Sequence, residues 1–396
     1  VRLLYVAAGI PVPGSLGGST HAYEVARGLA RLGHEVHLLA ASREGWAGLA
    51  PFARPVSTSV DGFHLHQQDV PKALALLGAA PVMRLAAALR PDAVIERYYN
   101  FAGAGLLAAR RLGAPSLLEV NALIVDPPEV RKRRLDDALG GPMRRWALRQ
   151  CRWADRIVTP LHTTVPAAIP RQKIVELPWG ADVARLAPVA AARRPAGPAP
   201  NVLFMGSFRA WHGVADFVRA ANLLIARGSP ARFTLVGDGP ERPAAEALAA
   251  THPGRFRFTG AIPYAAVPAE LAAADVGVAP FTTTPHPALR AAGFFWSPLK
   301  IYEYMAAGLP VVTARIPPLD DVVRDGEEGA LFAEGDVGGL ADAIGRLLAD
   351  PAAAHAMGRR ARERVAARFS WERHCAELSG LLEGLIAARR ANTTPA

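Results

Sequence analysis

Cysteine is nearly absent from this 396-residue chain: Cys151 and Cys375 are the only two, far apart and without a metal-ligand spacing. That excludes a disulfide scaffold and a cysteine-built zinc framework, so no metal is expected and a reduced, cytoplasmic setting is. Acids are also short, 35 against 45 basic residues, which leaves a net charge of +10. The surplus is not that of a nucleic-acid binder, because no aromatic-interleaved or helix-turn-helix pattern goes with it. No stretch is a continuous apolar run of the roughly 18 residues that cross a bilayer. Strand-like residues begin at Leu3, ahead of a glycine-bearing loop, so no signal peptide is expected. A Gly-x-Gly-x-x-Gly turn is missing as well, and the second strand ends on Ser42 and Arg43 where a ribose-binding acid would stand, which disfavours a nicotinamide enzyme.

What is present is concentrated in Ser297 to Val312. Ser297 reads as an N-cap and Pro298 as the first helical residue, so the amides of Leu299 and Lys300 should face outward with the positive end of the dipole. Such a turn suits a phosphate, and Lys300 adds charge to it. Glu303 sits one turn deeper, where a carboxylate can accept from two neighbouring ribose hydroxyls. Gly308 closes the helix and Pro310-Val311-Val312-Thr313 opens a buried strand. An ordinary well-started surface helix is the alternative for this segment.

Short apolar runs alternate with helical patterns along nearly the whole chain, which argues for parallel sheets with crossover helices. The first half offers strands at Leu3 to Ala8, Glu35 to Ala40, Phe63 to His66, Ala93 to Glu96, Ser116 to Val120, Arg156 to Thr159 and Ile174 to Leu177. The second offers Val202 to Met205, Phe233 to Val236, Phe256 to Thr259, Val276 to Ala279, Pro310 to Thr313 and Ala330 to Phe332. The expectation is an α/β protein of two doubly wound, Rossmann-like domains facing across a cleft. They would occupy residues 1–186 and 201–368, joined by a linker over 187–200, with a C-terminal helix in 369–396 returning to the first domain. Between Arg131 and Arg156 nine basic residues meet three acids, and Leu135, Leu139, Met143, Trp146, Gln150 and Trp153 recur at three- and four-residue spacings. This predicts one amphipathic basic helix, open to peripheral contact with an anionic membrane at its inner face or to plain solvation.

Each domain opens with a strand, a glycine-bearing loop and a helix. In the first, Gly17 and Gly18 would let backbone amides approach a diphosphate before a helix from Ala22 to Leu32; a flexible surface loop is the other reading. His21 is an acceptor-side contact or simply the start of that helix. In the second, Gly206 and Ser207 precede Arg209, which can fork onto a phosphate, and His212, which can donate to one; either side chain is also open to a surface role. Turns at Gly237 to Glu241 and at Gly260 to Pro263 lie on the same rim; a base could stack near the latter, at Ile262, though a plain tight turn explains it as well.

Taken together, Gly206 to Gly213, Gly237 to Glu241, Gly260 to Pro263, Ala274 to Pro280 and Ser297 to Val312 resemble the donor half of the family 4 retaining glycosyltransferases, which have the GT-B fold. Gly17 to His21, Gly33 to Val36 and Leu177 to Asp182 extend the resemblance to the first half. It implies transfer of a sugar from a nucleoside diphosphate sugar, UDP- or GDP-linked, with that donor as co-substrate and no cofactor. Glu303 would grip the ribose, and Arg209 and Lys300 would stabilise the leaving diphosphate. Many members carry a second glutamate eight positions earlier, where this chain has Phe295. Asn121 falls where relatives often place a histidine beside the donor sugar.

Between Pro280 and Lys300 there is no Asp or Glu, so the carboxylate pair of a double displacement is missing and retention would have to come from same-face attack. The acceptor is a small molecule, glycan or lipid-linked compound, its side lined by Val12 to Leu16, Trp46 to Ser59, Tyr98 to Phe101 and Asn121 to Glu129. Bacterial glycan or natural-product biosynthesis is the setting this implies. A sugar-nucleotide epimerase or a non-catalytic nucleotide-sugar-binding protein on the same fold are the rival readings.

Overall fold

A computed structural model describes residues 1–14, 17–42, 54–70 and 72–393. Of the loops expected to line the acceptor side, residues 15–16 and 46–53 lie outside the described residues, as does Arg43. The chain forms two compact units. The first holds Val1–Trp179, Phe295–Ser297 and Trp371–Ala396, and the second Gly180–Phe294 and Pro298–Ser370.

The first unit is built on strands β1 (Arg2–Pro11), β2 (Glu35–Ala41), β3 (Val56–Val60), β4 (Phe63–Gln67), β5 (Ala93–Arg97), β6 (Ser116–Glu119), β7 (Arg156–Thr159) and β8 (Ile174–Glu176). They lie in the order β3-β4-β2-β1-β5-β6-β7-β8, all parallel except the β3–β4 hairpin. β1, β2 and β5 read as near-continuous apolar runs because helices cover both faces of a parallel sheet. β3 was not expected, being the polar, exposed edge strand Val-Ser-Thr-Ser-Val. Its turn, Asp61-Gly62, has positive φ at both residues (46° and 89°), the conformation of a tight hairpin. The final helix, Trp371–Thr393, packs on the helix Gly17–Arg31 as expected: a Cβ on Gly28 would stand 2.4 Å from Cys375 Sγ, and His34 Nε2 lies 2.7 Å from Ser379 Oγ.

The second unit carries β9 (Asn201–Met205), β10 (Arg232–Val236), β11 (Phe256–Gly260), β12 (Val276–Ala279), β13 (Val311–Ala314) and β14 (Gly329–Phe332) in the order β11-β10-β9-β12-β13-β14, parallel throughout. Strand order therefore reverses between β9 and β12 here, and between β1 and β5 in the first sheet. Ligands of such sheets bind outside the carboxyl ends of the strands at that reversal.

Two expectations need correction. Residues 187–200 are not a free linker but part of the second unit, with a short helix at Ala187–Ala191. Arg193 fastens the segment by donating to the carbonyls of Ala307 (2.6 Å), Ala274 (2.7 Å) and Leu271 (2.5 Å), at and just beyond the C-terminal ends of two helices. The basic segment is not one helix but two, Arg131–Ala138 and Pro142–Trp153. Gly140 and Gly141 break it with φ of 78° and 81°. Buried Asp136 then accepts from the amides of Met143 (2.8 Å) and Arg144 (3.1 Å), satisfying the first turn of the second helix. Leu135 and Leu139 are left 57% and 74% exposed. Among the described residues no helix is long and apolar enough to cross a membrane.

Candidate functional site

In the second unit the loops after β9, β10 and β12 meet the start of the helix Leu299–Ala306. The backbones of two of these loops touch. Gly237, at φ 130°, brings its Cα so close to the Gly206 carbonyl that a Cβ would lie 1.9 Å from its oxygen. Gly206 itself, at φ 143°, leaves room for Lys300, whose Nζ would stand 2.7 Å from a Cβ there. Gly237→Ala is therefore expected to cost about 2 kcal/mol or more, through strain at positive φ and displacement of the 206–208 turn. A chemical denaturation curve for the second unit checks it.

The helix that delivers Lys300 is pinned from below. Tyr304 is fully buried, and its hydroxyl accepts from the Met205 amide (2.7 Å), tying the helix to the carboxyl end of β9. Helix geometry leaves the amides of Leu299 and Lys300 without an intrahelical acceptor. Lys300 is buried, its Nζ 4.4 Å from the centre of the Phe204 ring and 4.8 Å from that of Phe281, and among the described residues that ammonium has no hydrogen-bond partner. Burial pushes its pKa down to about 7, against a weaker upward pull from Glu303. An unpaired buried cation is costly, and it marks a place where an anion fits.

The rest of the sequence-derived donor set divides. Ser297 is not the helix cap: its hydroxyl accepts from the Trp179 amide (3.0 Å) in the first unit, and Pro298, at φ −82° and ψ 69°, occupies the capping position with no side-chain bond. His212 does not present a donor either. Its Nδ1 lies 2.5 Å from the Ser207 carbonyl, so that nitrogen carries the proton and Nε2 keeps a lone pair. Burial, and then the charge of Lys300, push its pKa down to about 2, which makes it a neutral brace for the 207–212 turn. Arg209 is exposed on the rim with its guanidinium 5.9 Å from the Trp211 ring centre, and Ile262 is half-buried after β11. Glu303 is half-buried one turn beyond Lys300.

In the first unit the helix begins at Gly17 and not at Ala22, so Gly17 and Gly18 are its first turn. Gly18 lies beside Arg97, whose guanidinium would be 3.5 Å from a Cβ at that position. His21, one turn on, is fully buried; its Nδ1 accepts from Arg97 (2.8 Å), which leaves Nε2 protonated, buried and without a partner among the described residues. Burial, reinforced by the Arg97 charge, holds its pKa well below the usual imidazole value. Arg97 also donates to Glu119 (2.5 Å), and Tyr5 donates to the other Glu119 oxygen (2.6 Å). Asn121 donates to Glu119 and accepts from Trp179 Nε1 (2.8 Å), and the Trp179 ring lies against His21, tilted by 36°, with centroids 4.3 Å apart. Arg97, Glu119 and Trp179 were missed by sequence reasoning. The available signal was charged residues at the carboxyl ends of the apolar strands β5 and β6.

In each unit of this doubly wound α/β protein a helix start, a positive side chain and a buried donor without a partner among the described residues stand at the strand reversal. The description Glycosyltransferase Family 4 matches residues 16–185, and Glycosyl transferases group 1 matches residues 199–350. The 2-deoxystreptamine glucosyltransferase of Streptomyces kanamyceticus is 31% identical over 283 residues, 67% of this chain and 70% of that one. The GDP-mannose-dependent alpha-(1-6)-phosphatidylinositol monomannoside mannosyltransferase of Mycolicibacterium smegmatis is 33% identical over 56% of this chain and 59% of that protein. The chain thus spans about three fifths of that relative's length, and about half of the Mycobacterium tuberculosis glycogen synthase it also matches. Among solved structures, sucrose-phosphate synthase from Thermosynechococcus elongatus superposes with a TM-score of 0.72 at 21% identity, covering 98% of this chain and 99% of that one. Anabaena HepE in complex with UDP-glucose gives 0.65 at 17%, covering 97% and 99%. The fold is GT-B, and the chain belongs to the family 4 glycosyltransferases.

Proposed function

We propose that the protein transfers a sugar from a nucleoside diphosphate sugar, UDP- or GDP-linked, to an acceptor hydroxyl with retention at the anomeric carbon. The buried, unpartnered Lys300 ammonium beside Gly206 and the first-turn amides carries this reading, because it is a ready counter-charge for a diphosphate. Glu303 takes the ribose hydroxyls, Arg209 the outer phosphate oxygens, and Ile262 one face of the base. The bond from the anomeric carbon to the phosphate oxygen breaks, the acceptor oxygen bonds to that carbon on the same face, and its proton passes to the departing diphosphate. At the first unit's own strand reversal, Gly17 and Gly18 offer backbone amides, and Arg97 and the His21 Nε2 proton offer side-chain donors. Lys300 and Arg209 meet the developing charge without a metal, so transfer is expected to persist in chelator.

A thermal-shift panel of UDP, GDP and ADP and their sugars tests the donor reading, since a ligand bound only by the native state raises its stability. UDP or GDP is expected to give a clear rise that Glu303→Ala removes. A flat response to all three would sink the donor site, and an inverted anomeric signal in the product would sink retention. The acceptor is a small molecule, glycan or lipid-linked compound, and the exposed Leu135 and Leu139 among the arginines favour the last, taken up at the inner face of a membrane. Co-sedimentation with anionic vesicles, lost in a Leu135→Ser/Leu139→Ser variant, is the corresponding check.

A further inference from the structure

On β2, Glu35 and His37 are two residues apart and share one face of the sheet, and His64 on β4 is the register partner of His37. These three offer one carboxylate oxygen and two imidazole nitrogens that all lie within 4.8 Å of one another. We propose that Glu35, His37 and His64 form a divalent transition-metal site, with zinc the best match to two imidazoles and a carboxylate and water completing a tetrahedron. Ligand atoms around such an ion, at bonds of about 2.0–2.1 Å, stand about 3.3 Å apart. Glu35 Oε1 and His37 Nε2 are already 3.0 Å apart. Glu35 and His64 are exposed, so their side chains can make the remaining adjustment.

The surrounding bonds orient the central ligand. Buried His37 places its other nitrogen, Nδ1, 3.0 Å from His66 Nε2, and His66 Nδ1 lies 2.8 Å from Ser57 Oγ. Without an ion, His37 Nε2–H donates to the Glu35 carboxylate and its Nδ1 accepts from His66; an ion would take the place of that proton, with Nδ1 of His37 then carrying the ring proton and donating to His66 Nε2. Arg2 Nε, 2.8 Å from the same oxygen, is the group an incoming ion must share the carboxylate with. The cluster sits at the amino ends of β2 and β4, away from the carboxyl-end rim where the donor groups gather. Its ion would clasp the edge hairpin β3–β4 to the inner sheet and take no part in transfer.

Zinc titration of the tag-free full chain, followed by calorimetry and by thermal shift, tests this. One zinc ion per chain is expected, with a melting temperature raised by several degrees. His64→Ala, at an exposed position, should weaken binding by at least about tenfold, and Glu35→Gln should weaken it too. His162→Ala, which removes an exposed imidazole 2.5 Å from the Glu176 carboxylate, should change nothing. Absence of stoichiometric zinc on the wild-type chain, or binding that survives His64→Ala undiminished, overturns the proposal. Circular dichroism of each variant separates loss of the site from loss of fold.

Discussion

Lys300→Met is expected to make the ligand-free protein more stable while lowering kcat/KM by about 10²- to 10³-fold. The methionine keeps most of the stem that lies between Phe204 and Phe281 and removes a charge that the fold leaves unpaired. A lysine whose folded pKa is near 7, below its unfolded value of about 10.4, prefers to be neutral in the folded state. The stability penalty is therefore full below pH 7 and fades as pH rises toward the unfolded value. Denaturation at pH 6, 8 and 9.5 should show the variant's advantage largest at pH 6, on the order of several kcal/mol, and shrinking with each step upward. Saturating nucleoside diphosphate should reverse the order, raising the wild type and leaving the variant where it was. The activity loss is the size seen when one preorganised charge-stabilising donor is taken from a transition state. A variant less stable at every pH, or as active as wild type, would show that Lys300 is a packing residue.

How much of this was legible depends on where the partner of each group lies. The strands announced themselves because a parallel sheet covered on both faces needs apolar runs, as in Leu3 to Val6 and Val276 to Ala279. β3 escaped because an edge strand of Ser and Thr carries no such run, although Asp61-Gly62 gave its turn away. The basic segment kept a helical period through Gly140-Gly141, so period alone could not reveal a break that left-handed glycines and the Asp136 carboxylate create. Ser297 carries a helix-start signature that is locally sound, but its hydroxyl is claimed by an amide 118 residues away. Lys300 was visible as a charge near a helix start. Its burial beneath Gly206 was not, since that follows from a loop meeting a helix in space.

Glu119→Gln is expected to destabilise the first unit by about 3–5 kcal/mol, because it strips the countercharge from a buried Arg97 that cannot lose its proton. For a unit of this size that is a fall in melting temperature on the order of 10 °C, read on the first unit's transition by calorimetry. Arg97→Met should cost less. The Glu119 carboxylate would still hold the Tyr5 hydroxyl at 2.6 Å and the Asn121 amide, whereas Arg97 without Glu119 keeps the neutral His21 nitrogen as acceptor for the same guanidinium arm. The double variant Arg97→Met/Glu119→Gln should then recover part of the loss, a coupling of at least about 1 kcal/mol for groups in direct contact. If the two single losses simply add, the pair is not an interacting unit. The same set of variants bears on transfer, because Arg97 both fixes the His21 tautomer and borders Gly18 at the helix start. With Arg97 gone, His21 can turn its proton inward to Nδ1, and the Nε2 donor offered to the reaction is lost. Activity should therefore stay low in the double variant even where its melting temperature has partly returned.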